Sequence, residues 1–171
     1  MLFINSELAR LRLATVAVVG FSFLVGLDPV VADAATATSI FQVTATVAGV
    51  CLIGTTNLAF GTYSGAQTDV TSTVTATCTN TTLYTVGLSA GSGGTGVAAR
   101  AMTGPAAATL NYAMFRDNTR TLNWGNTALV DAVAGTGTGS AQAITVYGRL
   151  AAGQFATPGA YSDSITATIT F

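Results

Sequence analysis

Apolar and polar positions alternate along this chain in short runs, broken by glycine, asparagine and proline. Residues 41–47 read Phe41-Gln42-Val43-Thr44-Ala45-Thr46-Val47, with apolar side chains at 41, 43, 45 and 47 and polar ones between them. That is the period-two signature of a strand with one buried face. Leu58-Ala59-Phe60-Gly61 reads as a short strand ending in a glycine turn. Residues 70–78 (VTSTVTATC) put Val74, Ala76 and Cys78 on one face, and residues 83–90 do the same with Tyr84, Val86, Leu88 and Ala90 across an Asn80-Thr81-Thr82 turn. Residues 98–102 fit a short strand or a helical turn equally, ended by Gly104-Pro105. Residues 110–116 alternate again through Leu110, Tyr112 and Met114, and Asp117-Asn118 turns the chain into Leu122-Asn123-Trp124-Gly125. Residues 133–140 (VAGTGTGS) are loop by composition, and residues 141–150 form a strand with Ile144, Val146, Gly148 and Leu150 in register. After Pro158-Gly159, residues 161–171 place Tyr161, Ile165, Ala167, Ile169 and Phe171 on one side and Thr166, Thr168 and Thr170 on the other. Short strands at intervals of about ten residues predict an all-β sandwich.

The first 34 residues read differently. Arg10 and Arg12 close a polar start, and residues 13–27 are an uncharged apolar run. That run is shorter than the roughly 20 residues a membrane helix needs. Ala32-Asp33-Ala34 supplies a small-x-small cleavage pattern, so residues 1–34 are expected to be an export signal cut after Ala34. Residues 35–50 would then be an N-terminal strand segment and residues 51–171 the domain proper, of a size that suits a single core.

From residue 35 onward the charges are Arg100, Arg116, Arg120 and Arg149 against Asp69, Asp117, Asp131 and Asp163, with no lysine, glutamate or histidine. The two signs cancel. So little positive charge excludes a nucleic-acid or anionic-membrane partner, and a neutral, threonine-rich surface suits a protein that lives in an assembly. Arg100 and Arg116 are expected to pair with Asp117 or Asp163 on the surface, contributing little. Cys51 and Cys78 are the only cysteines. In an exported protein a disulfide is the default, worth about 3–4 kcal/mol in the chain-entropy model. Two cysteines without histidine make no structural zinc site, so no metal and no cofactor are expected.

Candidate chemistry is sparse. Gly91-Ser92-Gly93-Gly94-Thr95-Gly96 satisfies the glycine spacing of a dinucleotide-binding loop, but the helix such a loop requires would meet Gly104-Pro105 within three turns. The stretch reads as a flexible hairpin loop. With no histidine base and only isolated aspartates in turns, no catalytic residues are assigned. Asp131 and Asp163 read as turn caps rather than a glycosidase pair. Tyr63, Trp124 and Tyr161 would make a sugar-stacking platform if exposed, but rings of this kind are more often buried.

The order and spacing of several pieces resemble the spore coat protein U domain, the Csu-type pilins of archaic chaperone–usher pili. The pieces are Cys51, Leu58-Ala59-Phe60-Gly61-Thr62-Tyr63, Val74-Thr75-Ala76-Thr77-Cys78, Arg100-Ala101-Met102, Leu110-Asn111-Tyr112, Phe115-Arg116-Asp117, Trp124-Gly125, Val146-Tyr147-Gly148-Arg149, Pro158-Gly159-Ala160-Tyr161-Ser162-Asp163 and residues 165–171. The likeness covers essentially all of residues 35–171. It implies an immunoglobulin-like sandwich lacking its last strand, and a disulfide at Cys51 and Cys78. It also implies a periplasmic chaperone that lends a strand and an outer-membrane usher that exchanges it for the N-terminal strand of the next subunit. On that expectation the chain is a structural fimbrial subunit rather than an enzyme. It would pass through the periplasm to a cell-surface pilus that serves adhesion and biofilm formation, with neighbouring pilin subunits as partners and no small-molecule substrate. Phe41, Val43, Ala45 and Val47 would be the donor side chains, and Ile165, Ala167, Ile169 and Phe171 the chaperone-facing side of the last strand. The single-domain length points to a shaft or adaptor subunit. A secreted sandwich that binds carbohydrate through the three aromatics, or one that forms an outer coat layer, is the alternative.

Overall fold

Threonine- and valine-rich runs have stiff, β-branched side chains that suit a pleated surface better than a helix, and the structure bears this out. A computed structural model describes residues 34–171, so the expected export signal lies outside the described residues except for Ala34. Residues 34–44 belong to a unit of their own, without regular secondary structure and fully exposed. Among the described residues, every strand lies in the second unit, Ala45–Phe171.

Eight strands run in chain order: β1 (Cys51–Thr55), β2 (Thr68–Cys78), β3 (Leu83–Leu88), β4 (Arg100–Thr103), β5 (Thr109–Phe115), β6 (Val133–Thr136), β7 (Ala141–Leu150) and β8 (Ala167–Thr170). They form a five-stranded sheet in the order β1-β2-β7-β5-β4 and a three-stranded sheet in the order β6-β3-β8. Every pairing is antiparallel. The core lies between the sheets, built from the faces that alternation predicts: Val74, Ala76 and Cys78 on β2, Tyr84, Val86 and Leu88 on β3, Leu110, Tyr112 and Met114 on β5, and Val146 and Leu150 on β7. Cys51 sits opposite Cys78 in the β1–β2 register and is bonded to it, with the Cα atoms 4.1 Å apart.

Several expectations change. Residues 41–47 carry the alternation but form no strand, and Phe41, Val43 and Val47 are more than four-fifths exposed; a strand exists only where its backbone groups find a partner. Residues 58–61 also form no strand, yet Leu58 and Phe60 pack on the core. A Cβ on buried Gly148 of β7 would run into both of them. Residues 133–136, expected to be loop, form β6 by pairing with β3. The 98–102 ambiguity resolves as strand β4, followed at Pro105–Ala107 by one 3₁₀ turn. The glycine loop 91–96 is not a hairpin. It carries the chain from β3 in one sheet to β4 in the other. The final strand is shorter than residues 161–171, because only Ala167–Thr170 pairs with β3.

Candidate functional site: an open groove beside the last strand

β8 sits at the edge of its sheet, with β3 on one side and no strand on the other among the described residues. An edge strand presents a row of unpaired backbone donors and acceptors. Its inward positions Ala167 and Ile169, and Ile165 just before it, are only half-buried, whereas Leu88 and Val86, opposite Ala167 and Ile169 on β3, are fully buried. Phe171 is 59% exposed. A sandwich whose last strand is half-covered has a gap in its core, and the gap is visible. A cavity of about 480 Å³ opens between the two sheets, lined by Leu58, Phe60, Val74, Met114, Val146 and Ile165 among others. A second cavity of about 740 Å³ adjoins it and shares Leu58, Phe60, Met102 and Tyr161. Together they form one groove of mixed apolar and polar lining between the segment after β1 and the segment before β8.

Polar side chains share the lining of the groove, among them Thr56, Ser72 and Asp163, and several of them are engaged. At one end Tyr63 Oη donates to the carbonyl of Ala151 at 2.6 Å, and the Gly153 N–H donates to the Gly65 carbonyl at 2.9 Å, joining the two lips. Gln154 lays its amide along Asn111, accepting from its N–H at 2.7 Å and donating to its carbonyl at 2.9 Å. At the other end Asp163 accepts from the Ser92 N–H and Oγ at 2.7 and 2.8 Å, from the Ser164 N–H at 2.8 Å and from Tyr112 Oη at 2.7 Å. Burial pushes the Asp163 carboxyl upward, but the Ser92 and Tyr112 hydrogen bonds outweigh it and hold the group below its ordinary value. Tyr112 is pushed well above the usual phenol range, first by burial and then by donating to that carboxylate.

The arginines do not sit where charge pairing on the surface would place them. Arg100 is completely buried and bonds four backbone carbonyls: Ser89 and Val97 at 2.9 Å, Leu88 at 3.1 Å and Trp124 at 2.7 Å. Desolvation lowers its pKa, opposed by the charges of Tyr112, Asp163 and Asp131. Arg116 donates to the carbonyls of Ala132 and Val130. Asp117 instead caps its own turn, accepting from Thr119 and from the N–H groups of Thr121 and Leu122, with Thr119 the main cause of its lowered pKa. The ion pairs of the described residues centre on Asp69, which takes a two-pronged contact from Arg149 at 2.7 and 2.8 Å with Arg120 at 3.6 Å. Carbonyl clusters at strand ends outcompete distant carboxylates for a buried guanidinium, and nothing in residue spacing announces that.

A sugar-stacking platform is not formed. Trp124 is fully buried and its indole N–H donates to the Val86 carbonyl at 2.9 Å. Tyr63 and Tyr161 line the larger cavity without it. Asp131 accepts from the Thr127 N–H at 2.7 Å as a turn cap. Among the described residues there is no cluster of metal-ligating side chains, and no helix is long and apolar enough to cross a membrane.

These features define a two-sheet sandwich with a groove that opens between its sheets beside Ile165 and the start of the last strand. The spore coat protein U domain model matches residues 37–168, and the chain belongs to that family, one of structural proteins rather than enzymes. Protein U of Myxococcus xanthus is 35% identical over 179 residues, covering 94% of this chain and 98% of that protein. In fold the chain is similar to the crystal structure of the CsuC–CsuE chaperone–tip adhesion subunit pre-assembly complex, from archaic chaperone–usher Csu pili of Acinetobacter baumannii. The TM-score is 0.56 at 24% identity over 74% of this chain. This chain spans 40% of the length of the chain it matches there.

Proposed function

We propose that this protein is the structural subunit of a surface fibre assembled by strand donation. Residues 1–34 direct export, a periplasmic chaperone fills the groove with a borrowed strand, and an outer-membrane usher exchanges that strand for residues 35–50 of the next subunit. Phe41, Val43, Ala45 and Val47 are the groove-filling side chains of the donor, received against Ile165, Ala167, Ile169 and Phe171. The fibre serves adhesion and biofilm formation. The observation that carries this reading is the groove beside the unpaired edge of β8, since a sheet edge with an apolar trough beneath it takes an extended strand through main-chain bonds and alternating side chains. The exposed alternating segment 41–47 supplies the matching pattern. Family membership and the chaperone–subunit complex of the similar fold agree with it.

Deletion of residues 35–47 tests the donor role. The truncated chain is expected to accumulate as a soluble complex with its chaperone and to be missing from fibres. Fibres built from the truncated chain would remove residues 35–47 from the mechanism. The near full-length similarity to Protein U, together with the spore coat description of the family, favours a second setting for the same assembly, a coat layer rather than a pilus. Electron microscopy of cell-surface preparations separates filaments from a sheet.

A further inference from the structure

The chain enters its last strand by changing sheets. Ser162 still pairs with Thr103 at the edge of β4, through bonds of 2.9 and 3.1 Å, and so belongs to the five-stranded sheet. Thr166 already exchanges bonds with Ser89, its carbonyl accepting from the Ser89 N–H and its N–H donating to Ser89 Oγ, both at 2.9 Å; β8 then continues along β3 in the other sheet. Only residues 163–165 span the gap. Within them Asp163 is the side chain that binds both sides. Its carboxylate ties to Tyr112 on β5 of the larger sheet and to Ser92 in the loop that leaves β3, and it lines the smaller cavity of the groove. The fit is close enough to dictate a neighbour. Gly91 adopts a left-handed φ of +82°, and any Cβ there would collide with the Asp163 carboxylate.

We infer that Asp163 is a positioning residue for strand uptake: it pins the sheet-to-sheet crossing so that the groove stands open before a strand arrives. The apolar side chains that line the groove, Leu58, Phe60, Val74 and Ile165 among them, bury surface when its walls meet, which favours closing. Within the lip formed by residues 163–165, Ile165 packs against the core, and the charge-assisted bonds of Asp163 to two separate elements hold the lip at a fixed separation. An opening that is already formed spares the incoming strand the ordering cost of making one. This inference rests on the reading that the groove takes a strand.

The test uses the full chain from residue 35 at concentrations too low for self-assembly, with a labelled synthetic peptide of residues 35–50 as the probe. Asp163→Ala should capture the peptide at least about tenfold more slowly than the wild type, while peptide release stays within about twofold, because a filled groove no longer needs the pin. Asp163→Asn, which keeps the acceptor facing Ser92 and a polar contact to Tyr112, should restore capture to within about threefold of wild type. Tyr112→Phe keeps the buried ring, removes a single bond and should slow capture by a smaller factor; it carries the comparison if the alanine variant does not fold. Equal capture by wild type, the alanine variant and Tyr112→Phe would overturn the positioning role while leaving strand uptake intact. Faster release in step with slower capture would also overturn it, by showing general destabilisation. A wild-type chain that captures no peptide would overturn strand uptake itself, and the positioning role with it.

Discussion

Arg100 shows how far a single residue departs from what its neighbours in sequence suggest. Its guanidinium collects carbonyls from the end of β3, the glycine loop and Trp124, so one cation satisfies four acceptors at the point where the chain passes between sheets. Arg100→Met keeps much of the volume but strands those acceptors. It should cost about 3 kcal/mol or more, since each buried unsatisfied group costs about 1–3 kcal/mol. Arg100→Lys should recover little, because a point ammonium cannot reproduce the planar fork. Urea unfolding of the disulfide-intact chain measures both, and a loss under 1 kcal/mol in the methionine variant would contradict the assignment. Asp163 makes a pH prediction. Its folded pKa is depressed, so its contribution to stability is present above the unfolded value near 3.9 and is lost as pH falls through the lower folded value. Asp163→Asn should lower stability in the neutral region, where the wild-type carboxylate contributes, and flatten the acid limb below about pH 4, where variant and wild type converge. An unchanged acid limb would show that the carboxylate is not ionised in this network. Neither role was legible beforehand. The sequence marks Asp163 as a turn residue and Arg100 as a strand flank, and only the sheet crossing brings Ser92, Tyr112 and Asp163 into contact.

At the scale of elements, alternation was a reliable guide wherever a strand has both a core face and a partner. The β2, β5 and β7 faces follow it residue for residue, and β3 does so except at buried Gly87, because shifting register by one position would move the apolar set off the core face. It failed in two directions. β6 is poor in apolar residues and forms because β3 offers it an edge, so Val133-Ala134-Gly135-Thr136 becomes a strand through pairing rather than composition. Residues 41–47 have the better pattern and form no strand. A pattern states what a segment is able to bury, and a partner decides whether it does. The disulfide is the element-level feature that cysteine count and export context did reveal. It ties the edge strand β1 to β2 at their matched ends, Cys51 opposite Cys78. Replacing both by serine should lower stability by about 3–4 kcal/mol. It should also fray β1 first, visible as faster amide exchange at residues 51–55 than along β7. Uniform exchange across both strands would show that pairing alone holds β1 in place.

If strand donation joins the copies as proposed, donor and acceptor are different surfaces of one chain, and the contact they make is head-to-tail. Such interfaces do not close on themselves unless the rotation happens to form a ring; otherwise they propagate. Two variants separate the surfaces. Phe41→Asp combined with Val43→Asp ruins the donor, because each change gives up about 1.5–3 kcal/mol of apolar burial and brings an unpaired carboxylate to an apolar groove. The groove of that variant is untouched. Ile165→Asp places a carboxylate on the half-buried lip of the groove and leaves the donor untouched. Either variant alone should remain monomeric under conditions where the wild-type chain forms detergent-resistant ladders. Mixed in equal amounts they should form a dimer and stop, since one good donor meets one good groove and both remaining ends are dead. Light scattering of the mixture reads this directly. A mixture that stays monomeric would mean that residues 41–47 and the groove are not partners, and one that forms long ladders would mean that copies join through some other surface.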